Sequence, residues 1–197
     1  MGHSVDNNPF AEAPWLMGVP SPYYSDSHRR WQKTCREFVW KNLGQYGLQW
    51  TRQQSCEPEV YQTFADAPCL PAPLPIARLK ALGIRELAGS LKLEEYDYFH
   101  YLIYMSEMYN CGLFSPAGVV VPGMAFGTPP ILNYGNRELQ DRVLPDLLLG
   151  KKRTCIAVTE PGAGSDLANL ETEAIKDASG DNYIVNGCKK WLVVGQC

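Results

Sequence analysis

Trp31, Cys35, Phe38, Val39 and Leu43 recur at spacings of three and four among charged neighbours, which is the stripe of an amphipathic helix. Ser25, Asp26 and Ser27 stand before it and can take the free N–H groups of a first turn, so a helix is predicted to about Tyr46. A shorter helix is expected from Pro58, carrying Val60, Tyr61 and Phe64. Proline recurs from Pro68 to Pro75 and forces an extended connection. Ala77 to Leu87 reads as a short helix interrupted by Gly83. From Leu93 to Asn110 apolar residues fall nearly all round the helical wheel, which predicts a central helix. From Asn136 to Leu149 the residues Leu139, Val143, Leu144, Leu147 and Leu148 mark one face, with Gly150 as the stop and Pro145 as a bend or break.

The periodicity changes after Lys151. Arg153 to Thr159 is a β-type run, and Glu171–Lys176 and Asn182–Val185 read as two strands around the turn Asp177–Asp181. Another strand is expected to begin at Lys190 and run to Val194. The fold class is α+β: a helical bundle over residues 25–151 after an extension of residues 1–24, then a partial antiparallel β-domain over residues 152–197.

Composition narrows the function classes. The net charge of −3 gives no electrostatic case for nucleic acid, and Arg29, Arg30, Lys33 and Arg36, with Asp26 and Glu37 beside them, read as a solvated helix face. Met108–Asn136 is uncharged and long enough for a membrane span, but four prolines and several glycines make it a buried, broken helical segment, and no span is expected. The seven cysteines form no Cys-x-x-Cys pair and read as reduced thiols of an intracellular protein. No secretory, mitochondrial or peroxisomal signal is visible, so the compartment stays open.

The chemistry concentrates in Ala157–Ala168. A strand ends in a turn where Pro161 fixes one dihedral and Gly162 and Gly164 remove side chains, so a ligand can approach the backbone and its N–H groups. Thr159 and Ser165 add hydroxyls. A dinucleotide turn is disfavoured because Leu167 stands where a third glycine belongs, and a Walker loop fails for want of Gly-Lys-Ser/Thr. A tight surface turn with Asp166 as its cap remains open beside the ligand-binding reading.

Val158-Thr-Glu-Pro-Gly-Ala-Gly-Ser-Asp166 resembles the signature of the acyl-CoA dehydrogenase family. Asn182-Tyr-Ile-Val-Asn-Gly187 followed by Lys189-Lys-Trp191 is similar to that family's next strand pair, and Asn136–Gln140 with Leu144–Gly150 to its preceding helix. The resemblance implies a helical N-terminal domain, a middle β-domain and a C-terminal bundle, with FAD between the last two and a homo-oligomeric assembly. It implies α,β-dehydrogenation of an acyl-CoA thioester, with electrons passing to an electron-transferring flavoprotein or to oxygen. By position, Ile156, Ala157, Val158, Thr159, Gly164 and Ser165 would line the flavin and its ribityl chain, and Ser165 would also meet the acyl-CoA substrate. Trp191, Leu192 and Val193 would stand beside the isoalloxazine.

Two departures shape the expectation. Val193 stands where the family usually places a hydroxyl toward the flavin, a loss of about 0.5–1.5 kcal/mol. The sequence given stops at Cys197, before the family's glutamate base, and Glu160 and Asp166 read as turn residues, so no catalytic residue is assigned and the isolated chain is expected to show no turnover. A β-domain cut there would also leave a bare strand edge. The rival reading is a non-catalytic remnant or assembly partner of a full-length relative. The Pro-rich segment and unusual N-terminus also fit a divergent branch acting on an uncommon acyl chain, as in secondary-metabolite or toxin synthesis.

Overall fold

The computed structural model describes residues 12–53, 63, 76–110, 123–149 and 151–192. The expectations for the helix at Pro58, the segment Pro68–Pro75 and position Val193 fall outside these residues.

Helix α1 spans Asp26–Val39, and Ser25 precedes it with its own N–H bonded to Nδ1 of His28 at 2.9 Å. The expected stripe turns inward, burying Trp31, Cys35 and Val39. The chain then widens into a π turn, Trp40–Gly44, that buries Leu43, and continues as α2, Gly47–Gln53. The single helix expected to Tyr46 is therefore α-helical only to Val39. The Trp40 ring folds over Gly44, where a Cβ would have no room.

The expected helix at Ala77–Leu87 is shorter: α3 spans Ile76–Ala81. Gly83 takes φ +81 and ends it, and Glu86–Leu87 (β1) pairs antiparallel with Leu91–Lys92 (β2). Leu87, Leu91 and Leu93 enter the core from this hairpin. Helix α4 accordingly starts at Tyr98 rather than Leu93, and runs to Asn110. Asp97 sets that start, since its Oδ1 accepts the N–H groups of Phe99 at 2.9 Å and His100 at 3.1 Å.

Helices α1 and α4 pack side by side with their N-termini together. Trp31 Nε1 donates to the His100 carbonyl at 2.9 Å near one end, and Arg36 reaches the buried Glu107 at 2.9 Å near the other. Glu12 lies on the far side of Arg36 and fastens the preceding segment to the pair, while Trp15 stacks on Tyr24. Helix α4 buries His100, Ile103, Tyr104, Glu107 and Met108 but exposes Tyr98, Leu102 and Tyr109. It is half covered rather than central.

A second π turn, Gly123–Gly127, leads into α5, Thr128–Tyr134, whose first turn carries Pro129 and Pro130. Helix α6 spans Arg137–Leu148, with Asn136 Oδ1 accepting the Leu139 N–H at 2.8 Å. Pro145 does not divide it: the helix runs on through this position. The carbonyl that Pro145 leaves without an N–H belongs to Asp141, on the exposed side of the helix, where water can satisfy it. Arg78 of α3 reaches Gln140 and Asp141 across the helix pair.

Beyond Lys151 the molecule is extended. Glu173–Lys176 (β3) pairs antiparallel with Tyr183–Asn186 (β4), around a turn in which Asp177 accepts from Ser179 and Gly180. Order and pairing make the chain α+β, helices first and antiparallel strands last, with one small hairpin inside the helical part. No helix among the described residues is long and apolar enough to cross a membrane.

Candidate functional site

The run predicted as a strand at 153–159 pairs in no ladder among the described residues. Its described bonds toward a neighbour come at its end: the Lys190 N–H donates to the Thr159 carbonyl at 3.0 Å, and Lys189 Nζ to the Val158 carbonyl at 3.2 Å. These two bonds bring Val158–Thr159 beside the segment that leads into Trp191 and Leu192. Two groups of candidate residues separated by some thirty positions in sequence thus become neighbours.

Glu160 organises the junction. Its backbone closes a two-bond bridge with Ala163 across the Pro161–Gly162 turn, at 2.9 and 3.2 Å. Its buried carboxylate accepts the N–H of Glu171 at 2.6 Å, the N–H of Thr172 at 3.1 Å and Lys189 Nζ at 2.6 Å. Lys189 first, then Thr172 and the Glu171 N–H, hold its carboxyl down at about 2. The same bonds explain why β3 begins at Glu173 and not at Glu171: the two N–H groups before it serve a side chain instead of a ladder. Gly187, at φ +156, sits over Thr172 so closely that no side chain fits there.

Along Ile156–Ser165 the N–H groups of Ile156, Ala157, Val158, Thr159, Gly162, Gly164 and Ser165 donate to no described residue. The hydroxyls of Thr159 and Ser165 are likewise without a described partner. Thr159 is half-buried and Ser165 exposed. Around Gly162 and Gly164 the space a side chain would fill is open. Ile156, at the start of this row, and Leu192 are exposed, and Trp191 is 80% exposed. Trp191 takes φ +56 and no strand is formed at 190–192. The remainder of the strand expected to Val194 lies outside the described residues. The Lys190 ammonium lies 4.2 Å from the Trp191 ring centroid. Asp166 caps the short 3₁₀ turn Leu167–Asn169 and accepts from Asn169 Nδ2 at 2.7 Å. Neither carboxylate is placed as a base: Glu160 is a clamp with a strongly acidic carboxyl, and Asp166 a turn cap.

One cluster comes together only in the fold. His28 and His100 stack with ring centroids 3.9 Å apart and share the Asp97 carboxylate, His28 Nε2 at 3.1 Å and His100 Nδ1 at 2.8 Å. Three potential ligand atoms lie within 4.8 Å of one another. Their chemistry does not suit a metal ion. The Ser25 N–H occupies His28 Nδ1, so Nε2 carries the proton and donates to Asp97, and two stacked rings cannot both aim in-plane lone pairs at one ion. The cluster is a clasp between the starts of α1 and α4. Its signal in the sequence is the repeated spacing Ser25-x-x-His28 and Asp97-x-x-His100, each a cap followed three residues later by histidine.

A helical domain leads into an antiparallel unit with a donor-rich glycine turn at the junction, the arrangement that the resemblance to the acyl-CoA dehydrogenase family implies. Comparison with known proteins agrees. The family model of the acyl-CoA dehydrogenase N-terminal domain matches residues 25–151, and that of the acyl-CoA dehydrogenase middle domain matches residues 155–196. The chain belongs to the acyl-CoA dehydrogenase family. It is 52% identical over 195 residues to acyl-CoA dehydrogenase apdG of Emericella nidulans, covering 97% of this chain and 44% of that protein. It is 32% identical over 188 residues to acyl-CoA dehydrogenase AFT10-1 of Alternaria alternata, covering 95% of this chain and 43% of that protein. An acyl-CoA dehydrogenase structure from Geobacillus kaustophilus superposes with a TM-score of 0.71 at 27% identity, covering 88% of this chain and 41% of that one. The chain therefore spans less than half the length of the curated relatives it matches.

Proposed function

We propose that this chain supplies one wall of an FAD site in an acyl-CoA dehydrogenase that introduces a double bond between Cα and Cβ of an acyl thioester. The observation that carries the reading is the row of N–H groups and hydroxyls along Ile156–Ser165, which the bonds from Lys189 and Lys190 bring beside the segment that leads into the exposed Trp191. Such a row suits a ligand with carbonyl, hydroxyl and phosphate oxygens joined to a flat aromatic system. Those are the features of FAD, and the residues present fit it.

Bound there, the flavin would accept a hydride from the substrate's Cβ. The chain's own residues do the positioning. The N–H groups from Ala157 to Thr159 and the hydroxyls of Thr159 and Ser165 would hold the cofactor's polar groups, and Gly162 and Gly164 would let it come close to the backbone. Trp191 and Ile156, both exposed, would shield the bound ring from water. Glu160, fixed by Lys189, keeps this surface from collapsing. The α-proton's base belongs to none of the candidate residues. The electron acceptor is an electron-transferring flavoprotein or oxygen, and the working assembly is a homo-oligomer.

Titrating FAD into the chain while following indole fluorescence and the visible circular dichroism of the flavin tests the proposal. Saturable binding is expected, weakened by Trp191→Ala. No binding would overturn it. A second reading, an assembly partner for a full-length relative, is favoured by the β3–β4 hairpin, which exposes Ile175, Ile184 and Val185. A colourless protein that becomes soluble only together with such a relative would support it.

A further inference from the structure

One place where the helical part meets the segment leading into the candidate flavin-binding residues is a glycine. Gly127 ends the second π turn and is half-buried. A Cβ at this position would lie 2.6 Å from both Cβ and Oγ1 of Thr154, and 3.3 Å from the Cys155 carbonyl oxygen. The Thr154 hydroxyl could rotate away from such a methyl. Its Cβ could not, because Cβ is fixed to the backbone and threonine is stiff at χ1.

An ordinary carbon–carbon contact needs about 3.5–4.0 Å, so relief would require a backbone shift of about 1 Å. Neither side yields readily. On the helix side, Thr128 is 99% enclosed, at 1% exposure, and Pro129 and Pro130 set the following dihedrals of α5. On the strand side, Lys151 and Lys152 donate to the Asp146 carbonyl, at 2.8 and 3.1 Å, just before Arg153. One residue beyond Cys155 begins the Ile156–Thr159 donor row.

We infer that Gly127 is a positioning residue for the flavin: by lacking a side chain it lets the π turn seat directly on Thr154–Cys155 and so fixes where the Ile156–Thr159 N–H groups stand. This rests on the FAD reading above. A misplacement of about 1 Å in such a constellation can lower a rate by roughly a hundredfold, and binding through the displaced donors weakens with it.

The experiment compares the full chain with Gly127→Ala, Thr154→Gly and the double variant, using FAD titration, the visible circular dichroism of bound flavin and far-ultraviolet circular dichroism. Gly127→Ala is expected to weaken FAD binding roughly tenfold to a hundredfold and alter the flavin spectrum while helix content stays unchanged. The double variant should return to the affinity and spectrum of Thr154→Gly alone, because removing the threonine Cβ removes the collision. Should Gly127→Ala fail to fold, the double variant decides, and its failure to regain FAD binding overturns the inference. Flavin bound equally well, with the same spectrum, in Gly127→Ala overturns the positioning role and leaves the FAD reading standing. An unsubstituted chain that binds no FAD removes both.

Discussion

At the scale of single residues, Glu160 and Lys189 determine whether the donor row exists as a surface. Glu160 lies at about 2 in the folded protein, against an ordinary glutamate value of 4.5. The stabilisation from its ionised form is complete above that ordinary value and is lost as pH falls through about 2. Lys189→Met removes the largest cause of the shift, so its folded value should rise and the acid limb of a melting-temperature profile should move to higher pH. An unchanged limb would show that the Glu171 and Thr172 N–H groups suffice. The histidine clasp acts in the same direction at milder pH. Burial first, with the neighbouring His28 adding to it, lowers His100 against the opposing bond from Asp97 and the charge of Glu95. Stability contributed by neutral His100 is therefore present above its ordinary value of 6.5 and falls as pH drops below it. His100→Gln should flatten the melting profile across that window, and a profile of unchanged slope would contradict the assignment.

Among the elements, those with a repeating apolar pattern were readable from sequence, and those fixed by side-chain bonds were not. The stripe Trp31–Leu43 predicted α1 and its buried face, and Leu144, Leu147 and Leu148 predicted the inner side of α6. Helix α4 starts five residues later than its apolar pattern predicts because Leu93, whose N–H donates to the Arg85 carbonyl, continues the β1–β2 hairpin into the core. The start of β3 was misplaced because Glu160 takes two N–H groups that a periodic pattern assigns to a ladder. Helix pairing depends on equally specific contacts. Arg36 lies between Glu12 and Glu107, with Glu107 only 3% exposed. Arg36→Met would leave that carboxylate buried without its cation and should destabilise the chain by about 3–5 kcal/mol in denaturant titration. Asn136→Ala, which removes only the α6 cap, should cost about 1 kcal/mol. Similar costs for the two would contradict the view that the ion cluster joins α1, α4 and the N-terminal segment.

For the whole molecule, the glycine turn, its hydroxyls and Trp191 could be named from the sequence, but their proximity could not. It follows from Lys189 and Lys190 reaching back some thirty residues. Gly127 was hidden for the same reason, since its neighbour Thr154 is close only in space. With Glu160 and Asp166 committed to structural bonds, the chain alone should show no reduction of an electron acceptor with any acyl-CoA. Turnover by the purified chain would mean that another of its groups serves as base. The claim on which the rest depends is that the Ile156–Ser165 edge is covered by flavin, and amide hydrogen exchange with and without FAD measures that edge directly. FAD should slow exchange at Ala157–Thr159 and Gly162–Ser165 while leaving the Asp177–Asp181 turn unchanged. Equal exchange rates along Ala157–Ser165 with and without FAD, or protection confined to the helices, would contradict the account.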